Sequence, residues 1–444
     1  MTETEKKAGR SARPMPRALT PFRSGQYRML AAALTLSLFG AGIWVVALVW
    51  QVIELGGGPS DLSVVATAMA VGMLATVLLA GALADRVPQK RLMLAVEITK
   101  AVAIGGAGAL AVTGNLEIWH LAVVSLFYGV AEGIVYPAYS AWLPALLPAE
   151  DLLPANGVEG VLRPVVMQAA GPAAAGGIIA VAAPGPALIV IAAAQALAAV
   201  VLALMRETPV RREDMGAGNP VVAVARDIAE GFRYMVRTRW LLVTLLFASL
   251  LVLAVMGPIE VLLPFAVRDQ TGGGAGAFAL VLAAFGIGGA VGSVVVASLP
   301  LARRYLTVMN LCWGAGCLPL AAIGFLDEVW VMAAVTFAVG FTFQAGTVIW
   351  GTLLQRRVPP ALLGRVSSLD FFVSLALMPI SMALAGPVGE EVGIPVAFLV
   401  AGVVPAVLAI AAVVGFGLLR DEIEHPLAPR PEPADGASPA AHPA

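Results

Sequence analysis

"L-S-V-V-A-T-A-M-A-V-G-M-L-A-T-V-L-L-A-G-A-L-A-D-R-V-P-Q-K-R", residues 62–91, holds no charge from Leu62 to Ala84 and then places Asp85, Arg86, Lys90 and Arg91 close together. A helix of about 20 apolar residues crosses the hydrocarbon core of a bilayer, and helices and closed barrels are the forms that satisfy every backbone polar group there. The charges mark the return to water. The same ruler laid along the chain predicts twelve spanning helices, near 28–52, 62–84, 92–113, 118–143, 157–183, 186–205, 240–266, 276–299, 305–326, 329–354, 366–388 and 393–419. The first reads as a span and not a cleaved signal peptide, because it follows a long polar stretch and lacks a small-residue cleavage pattern.

Composition agrees. Of 444 residues, 59% are hydrophobic and 12% charged, with a mean hydropathy of +0.90, too few charges to keep a soluble surface of this size wet. A formal charge of −1 offers no field for nucleic acid. Arginines outnumber lysines 23 to 4 in a chain rich in Ala and Gly, as GC-rich bacterial genes encode. Cys312 and Cys317 stand five apart in one apolar segment, a spacing that suits neither a disulfide nor a metal pair.

Charge placement gives orientation. With both termini cytoplasmic, Lys100, Arg163 and Arg268 are the exceptions, and the other 24 of 27 Lys and Arg fall in tails, inner loops or the helix ends beside them, as the positive-inside rule requires. The chain then divides into an N-terminal tail (1–27), a six-helix bundle (28–205), a polar linker (206–239), a second six-helix bundle (240–419) and a Pro/Ala-rich tail (420–444) expected to be disordered. Within the linker, Val224, Ile228, Phe232 and Val236 recur every four residues between arginines, the pattern of an amphipathic helix on the membrane surface. The two bundles carry a weak repeat. An offset of 211 pairs Gly129 with Gly340, Tyr139 with Trp350 and Pro148 with Pro359, and an offset of 216 pairs Gly72 with Gly288. Such duplicated halves hold a substrate between them near the midplane.

Residues 81–91 resemble the signature of the major facilitator superfamily, roughly G-x-L-A-D-R-x-G-R-K. Gly81, Leu83, Ala84, Asp85, Arg86 and Lys90 match it, whereas Pro88 replaces the glycine and Gln89 a basic residue. The second half has Leu301 where the acid would stand. "D-I-A-E-G-F-R-Y-M-V-R-T-R-W-L" (227–241) and "L-L-Q-R-R-V-P-P-A-L-L-G-R-V-S-S" (353–368) resemble segments of drug–proton antiporters akin to macrolide and siderophore exporters. "G-P-A-A-A-G-G" (171–177), with Gly171, Pro172, Gly176 and Gly177, is similar to the antiporter motif G-P-x-x-G-G with one alanine added. The resemblance spans about residues 20–420. It implies an all-α fold of two pseudo-symmetric bundles, and a cytoplasmic latch built from Gly81, Asp85, Arg86, Lys90 and Arg91. Inner-face acids such as Asp370, near the start of the eleventh helix, or Glu159 are the expected partners of its cations.

Ionisable residues inside a span are costly and mark function. Glu132 sits mid-way along the fourth span, with Tyr128, Tyr136 and Tyr139 within one arc of that helix. A carboxyl in such a place can hold a proton and release it when water or a cation arrives, and an aromatic wall suits planar or cationic cargo. Glu260 lies between Pro258 and Pro264 in the seventh span, and Gln344 and Thr347 share a face of the tenth. Glu97 and Lys100, three apart, read as a mutually neutralising pair, as do Glu159 and Arg163. No P-loop, H-E-x-x-H or acid–x–acid cluster occurs, so no cofactor or metal is expected.

The reading is a monomeric transporter in a bacterial inner membrane, which exchanges protons for amphipathic drugs, antibiotics or a siderophore. A proton symporter for a nutrient is the alternative. A membrane-embedded enzyme is remote, because the outer loops are too short to carry a catalytic cluster.

Overall fold

The computed structural model describes residues 17–84, 87–208 and 220–427. Among them twelve helices are long and apolar enough to cross a membrane. They are α1 (Gly25–Glu54), α2 (Pro59–Ala84), α3 (Gln89–Val112), α4 (Ile118–Leu146), α5 (Glu150–Val181), α6 (Pro184–Leu204), α7 (Arg239–Thr271), α8 (Ala275–Ala297), α9 (Tyr305–Ile323), α10 (Val329–Arg357), α11 (Arg365–Glu391) and α12 (Ile394–Gly415). An even number of crossings puts both ends of the chain at one face, here the termini face; the other is the far face. The expected all-α fold of two six-helix bundles is the observed one. Prolines reshape two spans. Residues Arg163–Ala170 of α5 and Pro258–Leu262 of α7 wind as π-helix, with Pro164 and Pro258 at their starts, because a proline removes an amide and the ladder slips by one residue.

The duplication is visible in backbone packing. In the first half, a Cβ on Gly72 would stand 2.3 Å from the Leu126 carbonyl oxygen, and one on Gly129 would stand 2.0 Å from that of Met69. In the second half, Gly288 meets the Phe337 oxygen at 2.0 Å and Gly340 the Phe285 oxygen at 2.1 Å. Both members of each pair shift by the offsets 211 and 216 found in the sequence. The α2–α4 and α8–α10 contacts are thus one design used twice, in which glycine lets two backbones touch.

Each half is fastened at the termini face by the chain leaving its last helix. After α6, Lys90 donates to the carbonyls of Ala203 and Met205, Arg91 pairs with Glu207 at 3.0 Å, and the Trp142 indole donates to Thr208 at 2.9 Å. The Arg91 hydrogen bond holds the exposed Glu207 carboxyl below its usual range. That pair therefore contributes a small stability at neutral pH that is lost as pH falls through the lowered pKa. After α12, a short helix (Leu418–Glu424) occupies part of the tail expected to be disordered from residue 420. Glu422, fully buried, accepts from the Leu306 and Thr307 amides at 2.9 and 3.0 Å and from the Thr307 hydroxyl at 2.7 Å. A carboxylate thereby caps the first turn of α9. Glu422→Ala leaves those donors unpaired in a dry site. It is expected to cost about 2–3 kcal/mol, read as a lowered midpoint in a thermal melt of detergent-purified protein.

The halves meet toward the far face. Ser63 of α2 accepts from the Gly386 amide of α11 at 2.7 Å, and Trp50 of α1 stacks on Phe278 of α8 at 5.7 Å. Gly176 of α5 lies against the Gly276 backbone of α8. The hydrogen bonds described at the termini face run within one half, or tie the linker helix (Pro220–Arg237) to α11 through Arg365 and Glu230.

Candidate functional site

Four helices of the first half bring their polar residues to one place. From α3, Glu97 and Lys100 project inward nearly one turn apart, and both are 1% exposed. From α4, Tyr128 and Glu132 lie one turn apart. From α1 come Ser37 and Trp44. Lys100 makes its contact ion pair not with Glu97 on its own helix, the partner that spacing suggested, but across with Glu132, and it lies over the Tyr128 ring, 5.2 Å from its centre; Glu97 remains near enough to attract it. That ring stacks on Trp44 at 5.1 Å. Glu97 instead accepts from the Ser37 hydroxyl at 2.7 Å, and its second oxygen has no hydrogen-bond partner among the described residues. From α5, Arg163 bonds Glu159 at 3.1 Å and completes a second pair alongside.

The charge count is the main property of this cluster. With Arg163 and Glu159 balanced, two carboxylates share one ammonium. Burying ions costs several kcal/mol each before pairing, so a net charge left inside the bundle favours any cation that can reach it. Glu132 gives the access. Its side chain is 30% exposed where that of Lys100 is 1% exposed.

The other proposed site residues are distributed otherwise. Tyr139 is buried in a separate core with Trp142 and Tyr27; the Tyr136 side chain lies outside the described residues. Glu260 projects, exposed, from the π-helical turn of α7, which packs against α2 of the first half and α11 of its own. Thr347 turns toward α9, where the Trp313 indole donates to it at 3.4 Å, and Gln344 lies beside Gly289 of α8. Asp370 accepts from the Trp350 indole at 3.0 Å and from Ser374 at 3.3 Å. Trp350 in turn packs edge-on to Trp240 at 6.0 Å. Of the latch residues, Gly81 lies near the end of α2, and Lys90 and Arg91 fasten α6 as described above. Asp85 and Arg86 lie outside the described residues. In the antiporter-like segment, Gly171 packs against Gly42 of α1 and Gly176 against Gly276 of α8, with Pro172 buried between them and Gly177 facing open space.

A family model described as transmembrane secretion effector matches residues 17–433. The chain belongs to this family, a branch of the major facilitator superfamily. It is 28% identical over 400 residues to the multidrug efflux pump Tap of Mycolicibacterium fortuitum, covering 87% of this chain and 94% of that one. It is 22% identical over 386 residues to macrolide efflux protein A of Streptococcus pyogenes, covering 85% and 93%. Among solved structures it resembles the nucleoside transporter NupG with a TM-score of 0.65 at 14% identity, covering 91% of this chain and 100% of that one. A bacterial homologue of the human lysosomal transporter Spinster, in an inward-facing and unoccupied conformation, gives 0.64 at 16% identity, covering 91% and 98%. These likenesses show the fold. The chain is a major facilitator transporter and not an enzyme.

Proposed function

We propose that this transporter is a proton-coupled exporter of amphipathic, positively charged small molecules from a bacterial cell. Both termini lie in the cytoplasm and the two halves rock about the midplane. The carrying observation is that, among the described residues and with Arg163 paired to Glu159, Glu97 and Glu132 share the cation Lys100. The cluster lacks one positive charge, and either a proton or a cationic cargo supplies it. The two compete for one place, which is the condition for exchange. Cargo entering from the cytoplasm displaces the proton; at the far face a proton returns and releases the cargo. The Trp44–Tyr128 stack supplies an aromatic flank to such a site. Efflux relatives named for multidrug and macrolide export support the direction, and arginine sorting supports the orientation.

The test is transport into everted membrane vesicles energised to an acidic interior, with a panel of cationic, neutral and anionic amphipaths. The expected result is accumulation of cationic members, abolished by a protonophore, with each cargo pulse releasing protons. Accumulation that ignores the pH difference sinks the coupling; accumulation confined to anions sinks the charge argument.

A further inference from the structure

At the far-face seam a carboxylate that the transport chemistry does not use hydrogen-bonds from one half to the other. Glu390, at the end of α11, reaches the start of α2: it accepts from the Ser60 amide at 2.9 Å and from the Ser60 hydroxyl at 2.5 Å. Asp61 holds the neighbouring Gly58 amide at 2.9 Å, so the Ser60 amide is left for a partner from outside the helix. Gly58 leaves room for that partner, since a Cβ there would stand 3.1 Å from the Glu390 carboxylate. One turn lower, Gly386 lies against the Pro59 carbonyl and Ser60 backbone, and its amide donates to Ser63. The carboxylate thus caps the first turn of a helix in the opposite half, where exposed amides and the helix dipole favour negative charge.

The duplication shows that this cap is specific. The offsets 211 and 216 carry Glu390 and Ser60 onto Ile179 and Gly276, at the matching contact of α5 with α8. There the helices meet through Gly176 and Gly276 with no carboxylate. One seam is closed by shape alone and the other by shape plus a charged cap.

We infer that Glu390 is a gate residue: its cap on α2 holds the far face closed and sets the ratio of termini-open to far-open molecules. The cap forms only while α2 and α11 touch at that end, so it stabilises one state of a two-state equilibrium and must break each time cargo leaves at the far face. The inference needs a transporter of two rocking halves and does not depend on the proton-exchange reading.

Spin labels at Asn115→Cys and Asp327→Cys, exposed on far-face loops of opposite halves, report the opening in a background carrying Cys312→Ala and Cys317→Ala. Glu390→Ala is expected to raise the far-open population by about three- to tenfold, the range for losing one net hydrogen bond of ordinary strength. Glu390→Gln keeps one acceptor oxygen and is expected to fall between. Ser60→Ala is expected to shift the distances the same way by less, and combining it with Glu390→Ala is expected to give less than the sum, because both remove one contact. The adjacent Glu391→Ala, at an exposed carboxylate outside the cap, controls for surface charge. A Glu390→Ala distribution that superposes on the wild type, an equal shift from Glu391→Ala, or additive effects of Ser60 and Glu390 overturns the gate. Because the readout is distance and not flux, failure here leaves the exchange proposal standing, and failure of exchange leaves the gate standing.

Discussion

Glu132→Gln is expected to abolish protonophore-sensitive efflux while the protein remains folded. Glutamine occupies the same volume and keeps an oxygen that can accept from Lys100, so the buried ammonium is not stranded. Glu97, nearly one turn away on the same helix, supplies its counter-charge. What changes is the count: one carboxylate faces one ammonium, and the cluster has no missing charge for a proton or a cargo cation to fill. Efflux of a cationic dye from loaded cells is expected to fall to the level of cells without the pump. The thermal midpoint is expected to move by only a few degrees, as for a change of about 1 kcal/mol. Lys100→Met is the opposite case. It leaves two carboxylates in a buried site with no ammonium, and removing one partner of a buried pair costs about 3–5 kcal/mol. That variant is expected to give little folded protein at neutral pH. Wild-type efflux from Glu132→Gln rejects the assignment of the site; wild-type stability of Lys100→Met rejects the charge count behind it.

Much of the fold was legible because the bilayer enforces it. Its thickness sets helix length, its cost for charge sorts arginines to one side, and both can be counted on a sequence. The repeat was legible through glycines for a related reason. Positions such as Gly72, Gly129, Gly288 and Gly340 touch a neighbouring backbone, where no other residue fits. The site was half legible. Glu132 stood out as a lone carboxylate in an apolar span, but its partner did not, because spacing along one helix shows only same-helix neighbours and Lys100 crosses to another. Tyr139 shows the same limit. It shares an arc with Tyr128, yet an arc does not tell which neighbour it faces, and the structure turns Tyr139 into a core with Trp142. Glu390 and Glu422 carried no sequence signal beyond lying near helix ends, where a carboxylate is ordinarily just solvated. Their roles come from contacts more than 100 residues away in the chain.

Gly129→Val is expected to give a large loss of stability in the first half, and Gly340→Val a matching loss in the second. At Gly129 the first atom a side chain meets is the Met69 carbonyl oxygen, 2.0 Å from the added Cβ. The obstacle is backbone inside a helix, so no rotamer change relieves it. The helices α2 and α4 must move apart, which loosens Val65, Ala66, Ala70 and Val124, all buried in the same core. Overpacking costs about 1–3 kcal/mol, and a clash with backbone that no rotamer relieves belongs at the upper end of that range. The better helix propensity of alanine over glycine, about 1 kcal/mol, does not offset even the smaller Gly129→Ala change. Gly106 and Gly157 supply the contrast, because nothing lies within 4 Å of a Cβ added to either. Alanine there is expected to leave the thermal midpoint unchanged or raise it slightly. Fluorescence-detected melts of the five variants test the series directly, and an unchanged midpoint for Gly129→Ala rejects it. The consequence for transport follows from the same geometry. Halves whose helices touch backbone to backbone resist internal shear, so motion concentrates at the seams between them, where Ser63 meets Gly386 and Gly176 meets Gly276. A variant that loosens α2 from α4 without unfolding the protein is therefore expected to lose transport before it loses cargo binding.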